Sequence, residues 1–201
     1  AFKNLLSNIK CSNYDFREKN FYINSSDKIN YLFNSSIKGI EDSDLILLVA
    51  CNPRHEATMV NARIRKAFKR NKTPIYSIGD PGDLTYEYDI VGKTTQDLKN
   101  IVEGNSHFTK KFLSSKKPVV IIGESALEME SGQFIFEEIK EFLFKNNFIS
   151  ENWNALNILI QNASTVGCLD LKFFSSKNVN ESDFFDKIKN NKFELIYLLG
   201  S

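Results

Sequence analysis

The chain has 201 residues, 42% of them apolar and 25% charged, and its 26 basic and 25 acidic side chains almost cancel to a formal net charge of +1. A chain of that length makes one domain or one and a half and buries roughly 70% of the surface its unfolded form exposes, so a core forms without disulfide or metal staples. The balance of charge lacks the electropositive excess that drives non-specific nucleic-acid binding, and no DNA or RNA partner is expected.

In chain order, the N-terminus Ala1-Phe2-Lys3-Asn4-Leu5-Leu6 has no initiating Met and no signal-peptide pattern, and reads as the interior of a longer protein. Residues 1–25 are expected to be a helical or irregular lead-in, and 26–201 an α/β domain truncated at both ends. Ile29, Leu32, Phe33 and Ile37, ahead of Gly39, have helical spacing. Asp44 to Cys51 is a near-continuous apolar run of strand length, far below the roughly 20 residues that cross a bilayer, so no direct membrane insertion is expected. Asn52 and Pro53 then offer a helix cap and a Pro at the first helical position. Val60, Ile64, Ala67 and Phe68 recur on one face of that helix, with Arg63, Lys66 and Arg70 on another.

Pro74 to Ile78 is a weaker strand, and Gly79 to Gly92, with Pro81, Gly82 and several acids, is expected to be a loop. Pro118 to Ile122 is another strand. Gly132 to Asn147 carries Ile135, Ile139, Phe142 and Leu143 at helical spacing, and Leu156, Leu159, Ile160, Ala163 and Val166 repeat the pattern before Gly167, which is placed to end a helix. Phe193 to Leu199 is a last strand, and a chain stopping at Gly200-Ser201 directly after it again suggests a piece of something longer. Apolar strands without alternation, separated by amphipathic helices, predict an α/β fold: an open, largely parallel sheet with helices on both faces and Rossmann-like βα units.

In such a sheet ligands bind beyond the carboxyl ends of the strands, here Cys51 to His55, Gly79 to Asp83, Gly123 to Ser125 and Gly200-Ser201. None holds a dinucleotide or Walker A fingerprint. Asn52 and Arg54 stand at a helix N-terminus, where an anion is favoured, although a cap and a surface or inter-subunit ion pair explain them more simply. Asp80 could reach a ribose hydroxyl or simply turn the chain. Cys11, Cys51 and Cys168 are widely spaced and form no C-x-x-C pair, which argues against a disulfide framework, a zinc site or a complete iron-sulfur ligand set, and His55 and His107 have no ligand-type neighbour. No catalytic or metal residue is expected. The basic cluster Arg63, Arg65, Lys66, Lys69 and Arg70 reads as a solvated face that complements the helix dipole, or as a docking surface for an acidic neighbour.

The run Ile29-Asn30-Tyr31-Leu32-Phe33-Asn34-Ser35-Ser36-Ile37 through Ile40-Glu41-Asp42-Ser43-Asp44, then Leu47-Leu48-Val49 and Asn52-Pro53-Arg54, resembles the large iron-sulfur subunit family of respiratory complex I. Asn61-Ala62-Arg63-Ile64-Arg65-Lys66, Asp83-Leu84-Thr85-Tyr86-Glu87-Tyr88-Asp89, Lys117-Pro118-Val119-Val120-Ile121-Ile122-Gly123 and Trp153-Asn154-Ala155-Leu156-Asn157-Ile158-Leu159 continue the resemblance in the same order, over most of residues 26–201. It implies a fold of the molybdopterin oxidoreductase type. It also implies partners among the peripheral-arm subunits of an electron-transfer complex, on the cytoplasmic face of a bacterial inner membrane or the mitochondrial matrix side. In that family the 4Fe-4S and 2Fe-2S clusters lie in an N-terminal region outside this segment, and none is expected here. True molybdopterin enzymes hold a pterin dinucleotide near the Asn-Pro position, whereas this region of complex I is regarded as having lost it; Asn52, Arg54 and Asp80 would then be vestigial ligand positions. The loop Gly79 to Asp83 lacks the Asp-Pro-Arg form of a nucleotide loop. The expected role is structural; the alternatives are an active molybdopterin-dependent oxidoreductase and a free-standing nucleotide-binding enzyme, which would need a phosphate loop.

Overall fold

The computed structural model describes residues 2–17, 19–173 and 187–199. Its strands are β1 Leu45–Val49, β2 Ile75–Ile78, β3 Asp89–Gly92, β4 Pro118–Gly123 and β5 Leu156–Leu159. The helices are α1 Phe2–Asn8, α2 Pro53–Glu56, α3 Thr58–Asn71, α4 Thr95–Val102, α5 His107–Leu113, α6 Glu124–Glu128, α7 Gly132–Lys145 and α8 Ala163–Asp170. All strand pairs are parallel, in the order β3-β2-β1-β4-β5. Every residue of β1 and β4 is buried.

Because successive strand side chains point to opposite faces, the sheet has two cores. On one face Ile46, Leu48, Ile75, Val119 and Ile121 meet Val60, Ile64 and Ala67 of α3, with Ile40, Leu84 and Tyr86. On the other, Leu45, Leu47, Val49, Val120 and Ile122 meet Leu98 and Ile101 of α4, Phe108 and Phe112 of α5, and the apolar stripe of α7. Aromatic contacts join three elements there: Tyr76 of β2 lies 4.7 Å from Phe108, and Phe112 lies 5.5 Å from Phe142 of α7. Phe21 and Ile23 enter the same core. The intervening Tyr22 donates its backbone N–H to Leu127 and its hydroxyl to Glu137, which fixes that segment across α6 and α7. Thr94 and Asp97 form a capping box at the start of α4.

The expected parallel sheet with helices on both faces is present, and five details differ from the sequence reading. The spacing of Leu156 to Val166 is not one helix: Leu156–Leu159 is the edge strand β5, and α8 begins at Ala163 and runs through Gly167 to Asp170. Within β5, Asn157 is fully buried, donating to Val120 and Ala155 carbonyls and accepting from Ser35. Residues 29–37 are not helical beyond the short 3-10 turn Lys28–Asn30; Asn34 donates to Leu156 O and Phe33 bridges Asn157, so these residues run along β5. Short polar side chains that bond the backbone in this way compete with a helix. The stretch 79–92 is a loop only to Tyr88, after which Asp89–Gly92 adds β3 at the other edge.

Phe193 to Leu199 is not a strand. Leu195 to Leu199 are 47–83% exposed and without regular structure, and among the described residues no strand pairs with them. Apolar character alone carried that expectation, and it does not name the surface that would bury it. Gly200-Ser201 lie outside the described residues. The helix expected after Asn52 is also interrupted: α2 ends at Glu56, and Ala57, at φ −153° and ψ 77°, separates it from α3.

Ile64 is fully buried under the sheet, whereas Arg65 beside it is exposed. Ile64→Ala is expected to lower unfolding free energy by about 2–5 kcal/mol through lost burial and a residual cavity, and Arg65→Ala to change it by no more than about 0.5 kcal/mol. Urea denaturation of both variants checks this; equal shifts would show that α3 packs through another face.

Candidate functional site

With this strand order the connection reverses between β1 and β4, so the crevice beyond their carboxyl ends is where an open α/β sheet places a ligand. It is flanked by Ala50, Cys51 and Asn52 on one side and Gly123 and Glu124 on the other. The two segments touch. A Cβ built on Gly123 would lie 2.5 Å from Cys51 Cβ and 2.6 Å from Ala50 O, so only glycine permits this approach. Ala50 adopts φ 43° in the left-handed region, its N–H donating to Ile78 O. Cys51 is buried, and burial together with the nearby Glu56 pushes its thiol pKa up, which keeps it protonated and unreactive at neutral pH. Glu124, 2% exposed, accepts the backbone N–H of Gln161 at 2.8 Å and joins the end of β4 to the residues following β5.

Asn52, Arg54 and Asp80 are brought to this end of the sheet by α2 and the loop after β2. Asn52 Oδ1 accepts from the backbone N–H groups of Arg54 and His55 at 3.0 and 3.2 Å, the cap expected from Asn-Pro. Its Nδ2 donates to Pro81 O at 2.6 Å, and its backbone N–H donates to Glu56 Oε1 at 2.6 Å. The Arg54 guanidinium donates to Asp83 O at 3.1 Å and pairs with the Asp83 carboxylate. Asp80 accepts from Gly82 N at 2.9 Å and from the Tyr88 hydroxyl at 3.2 Å. Asn52 and Arg54 thus hold the Gly79 to Asp83 loop against α2, and Asp80 folds that loop on itself. His55 is exposed beside them; His107 begins α5 and is exposed.

Hydrogen bonds from Gly82 N and then Tyr88 lower the Asp80 pKa, and those from Thr85 N and then Arg54 lower that of Asp83. Among the described residues no group of three His, Cys, Asp or Glu side chains is arranged to hold a metal ion. Sequence reasoning missed three participants: Gly123 as the point of closest approach, Asp83 as the partner of Arg54, and Glu124 as a buried acceptor. A Gly-Glu pair directly after a buried strand was the available signal for the first and last; the Asp83 pairing had no local signal, because it joins residues far apart in sequence.

Two measurements follow from this geometry. Gly123→Ala is expected to destabilise the fold by about 1–3 kcal/mol, because backbone must shift to admit the methyl group. Gly167→Ala, inside α8 with nothing within 4 Å of the added Cβ, should stabilise it by about 0.5–1 kcal/mol; denaturant midpoints moving in the same direction would refute the assignment. Since Asp80 and Asp83 have depressed pKa values, their ordering of the loop is present above the unfolded carboxylate value near 3.9 and is lost as pH falls through the folded values. Amide exchange should therefore show residues 79–88 loosening below about pH 4 before β1 and β4, and simultaneous loss would be contrary.

The chain resembles proteins of known name along most of its length. It is 39% identical over 191 residues to the NADH-ubiquinone oxidoreductase 75 kDa subunit of Reclinomonas americana, an alignment covering 94% of this chain and 27% of that protein. It is 41% identical over 146 residues to the mitochondrial NADH-ubiquinone oxidoreductase 78 kDa subunit of Neurospora crassa, covering 72% and 19%. It is 33% identical over 201 residues to the mitochondrial NADH dehydrogenase (ubiquinone) iron-sulfur protein 1 of Solanum tuberosum, covering 100% and 26%. The chain therefore spans between 19% and 27% of the length of these relatives. The sequence model described as molybdopterin oxidoreductase matches residues 1–201, and with the parallel sheet and its switch point in place, this chain belongs to the molybdopterin oxidoreductase family.

Proposed function

We propose that this chain is a structural α/β domain of the large iron-sulfur subunit of an NADH:quinone oxidoreductase, within the peripheral arm of that electron-transfer complex. The observation that carries the reading is the similarity to three NADH dehydrogenase subunits over 72–100% of the chain. In this reading the 4Fe-4S and 2Fe-2S clusters are held elsewhere in the same subunit and the partners are other peripheral-arm subunits. The domain sits on the cytoplasmic face of a bacterial inner membrane or the matrix side of a mitochondrial one. None of its described helices is long and apolar enough to cross a membrane, and in this reading attachment runs through those partners.

The family name raises the question of a pterin dinucleotide. The residues at the switch point do not fit one: Asn52 caps α2 and holds Pro81, Arg54 is engaged by Asp83, and Gly123 brings the β4 end into contact with Cys51. A phosphate or ribose placed there would have to displace those bonds and part the two segments. The candidate positions Asn52, Arg54 and Asp80 are accordingly assigned to holding the loop rather than to a ligand, and no catalytic step is assigned to them.

The 201-residue chain, expressed with molybdate supplied in a pterin-producing host, is expected to carry neither molybdenum nor a releasable oxidised pterin, as read by metal analysis and pterin fluorescence. Stoichiometric recovery of both would establish the alternative, a molybdopterin-dependent oxidoreductase domain. The full-length subunit is expected to co-purify with an NADH-oxidising, quinone-reducing assembly, and its isolation as a free monomer from a respiring cell would contradict the assignment.

A further inference from the structure

The outer face of α3 carries the part of the basic cluster, Arg65, Lys69 and Arg70, that makes no ion pair among the described residues. Thr58, Ala62, Arg65 and Lys69 fall at i, i+4, i+7 and i+11 on one stripe, all exposed, with Arg70 beside them. Together with Asn61, Lys66 and Thr85 they line an open groove of about 420 Å³. The groove runs along roughly 18 Å of helix, since each residue adds about 1.5 Å. Small side chains at 58, 62 and 85 leave room at one end, and cations wall the other.

The charges divide into two groups. Arg63 and Lys66 are engaged with Glu41, whose carboxylate they hold below its usual pKa, Lys66 first and then Arg63. Among the described residues no carboxylate pairs with Arg65, Lys69 or Arg70; Lys69 lies over the Phe68 ring, its Nζ 5.8 Å from the centroid. Three cations thus converge on one cleft in a chain whose overall charge is only +1. Lys69 and Arg70 complement the helix dipole in the last turn, but Arg65 lies earlier and gains little from it. A dipole role alone does not explain why it shares their stripe.

We propose that this groove on α3 is a docking surface for an acidic, Glu- or Asp-rich segment of another protein, with Arg65, Lys69 and Arg70 pairing its carboxylates. The chemistry favours a protein carboxylate over nucleic acid, because the cationic surface is confined to about two turns of one helix and the nearly neutral chain supplies no wider field to hold a phosphate backbone. Within the structural reading above, on which this partner rests, the segment belongs to a neighbouring subunit. Rim charges of this kind set encounter rate and salt dependence more than affinity.

The test uses the full chain and a fluorescein-labelled poly-Glu peptide of roughly 12–16 residues, long enough to span the groove as a helix. Fluorescence anisotropy at low salt should show saturable binding that weakens as salt screens the charges. The triple variant R65Q/K69Q/R70Q should raise Kd about tenfold or more, while K10Q/K110Q/K116Q, which removes the same charge from exposed lysines elsewhere, should change it less than about twofold. Glutamine keeps helix propensity, and an unchanged circular dichroism spectrum verifies that both variants fold. Absence of saturable binding, or equal weakening by the two variants, overturns the proposal. So does tighter binding of duplex DNA or phosphatidylglycerol vesicles than of the peptide, lost in the α3 variant. Co-purification of the full-length subunit reads membership in the complex separately, so a failure of that assignment is distinguishable from a failure of the surface.

Discussion

The molecule is organised by the burial of two adjacent strands on both faces at once. β1 and β4 present no side chain to solvent, so each face must be covered along its length. Parallel pairing meets that requirement, because each connection between neighbouring parallel strands has to cross over the sheet and brings a covering element with it. α3 closes one face; α4, α5 and α7 close the other. The close approach of Gly123 to Cys51 belongs to the same constraint, since it lets the backbones leaving the two central strands pack together.

At the ligand end of the sheet, the polar groups that another member of this fold could present to a cofactor are turned toward one another. Asn52 has two acceptor lone pairs and two amide donors; both acceptor positions and one donor are engaged by the Arg54, His55 and Pro81 backbones. Arg54 has a carboxylate partner seen by no local pattern. The outcome is a strand-end loop closed by intrachain bonds, in which the same residue types that would suit an anion support the backbone instead. Cys51, buried beneath that loop with a raised pKa, contributes volume rather than thiolate chemistry.

Much of this was legible in the sequence because the central strands and their main covering helices have strong periodic signals. β1, β4, α3 and α7 lie where apolar runs or helical stripes indicate, and the Asn52-Pro53 cap forms as its residue types require. The edges were harder. β5 is four residues long, and Leu156, Leu159 and Ala163 match a helical stripe while the decisive residue, Asn157, is polar and buried by bonds to Ser35, Val120 and Ala155 that span long stretches of chain. β3 is equally short and half-exposed, so it lacks the apolarity that identifies a buried strand. In Phe193 to Leu199 the apolar signal was strong and no strand formed, because a strand is defined by its neighbour and periodicity says nothing of which neighbour is available. At the site, Asn52, Arg54 and Asp80 could be located in advance, whereas their use as ties could not, since Pro81 O and Asp83 become partners only once the loop folds back.

The segment that runs along β5 also gives the sheet a direction. Asn34 bonds Leu156 O, and the N–H of Ile158 donates to Leu32 O, so backbone groups on the outer side of β5 that would template another strand are already occupied. At the opposite edge, β3 pairs only with β2 among the described residues, but it is four residues long, begins with the charged Asp89 and ends at Gly92. Shortness and an edge charge discourage a stray chain from zippering on. One margin is therefore sealed by its own chain and the other is merely blunted, so of the two sheet edges β3 is the one at which strand addition would begin, and a lengthened sheet could be grafted there without first evicting residues 32–34.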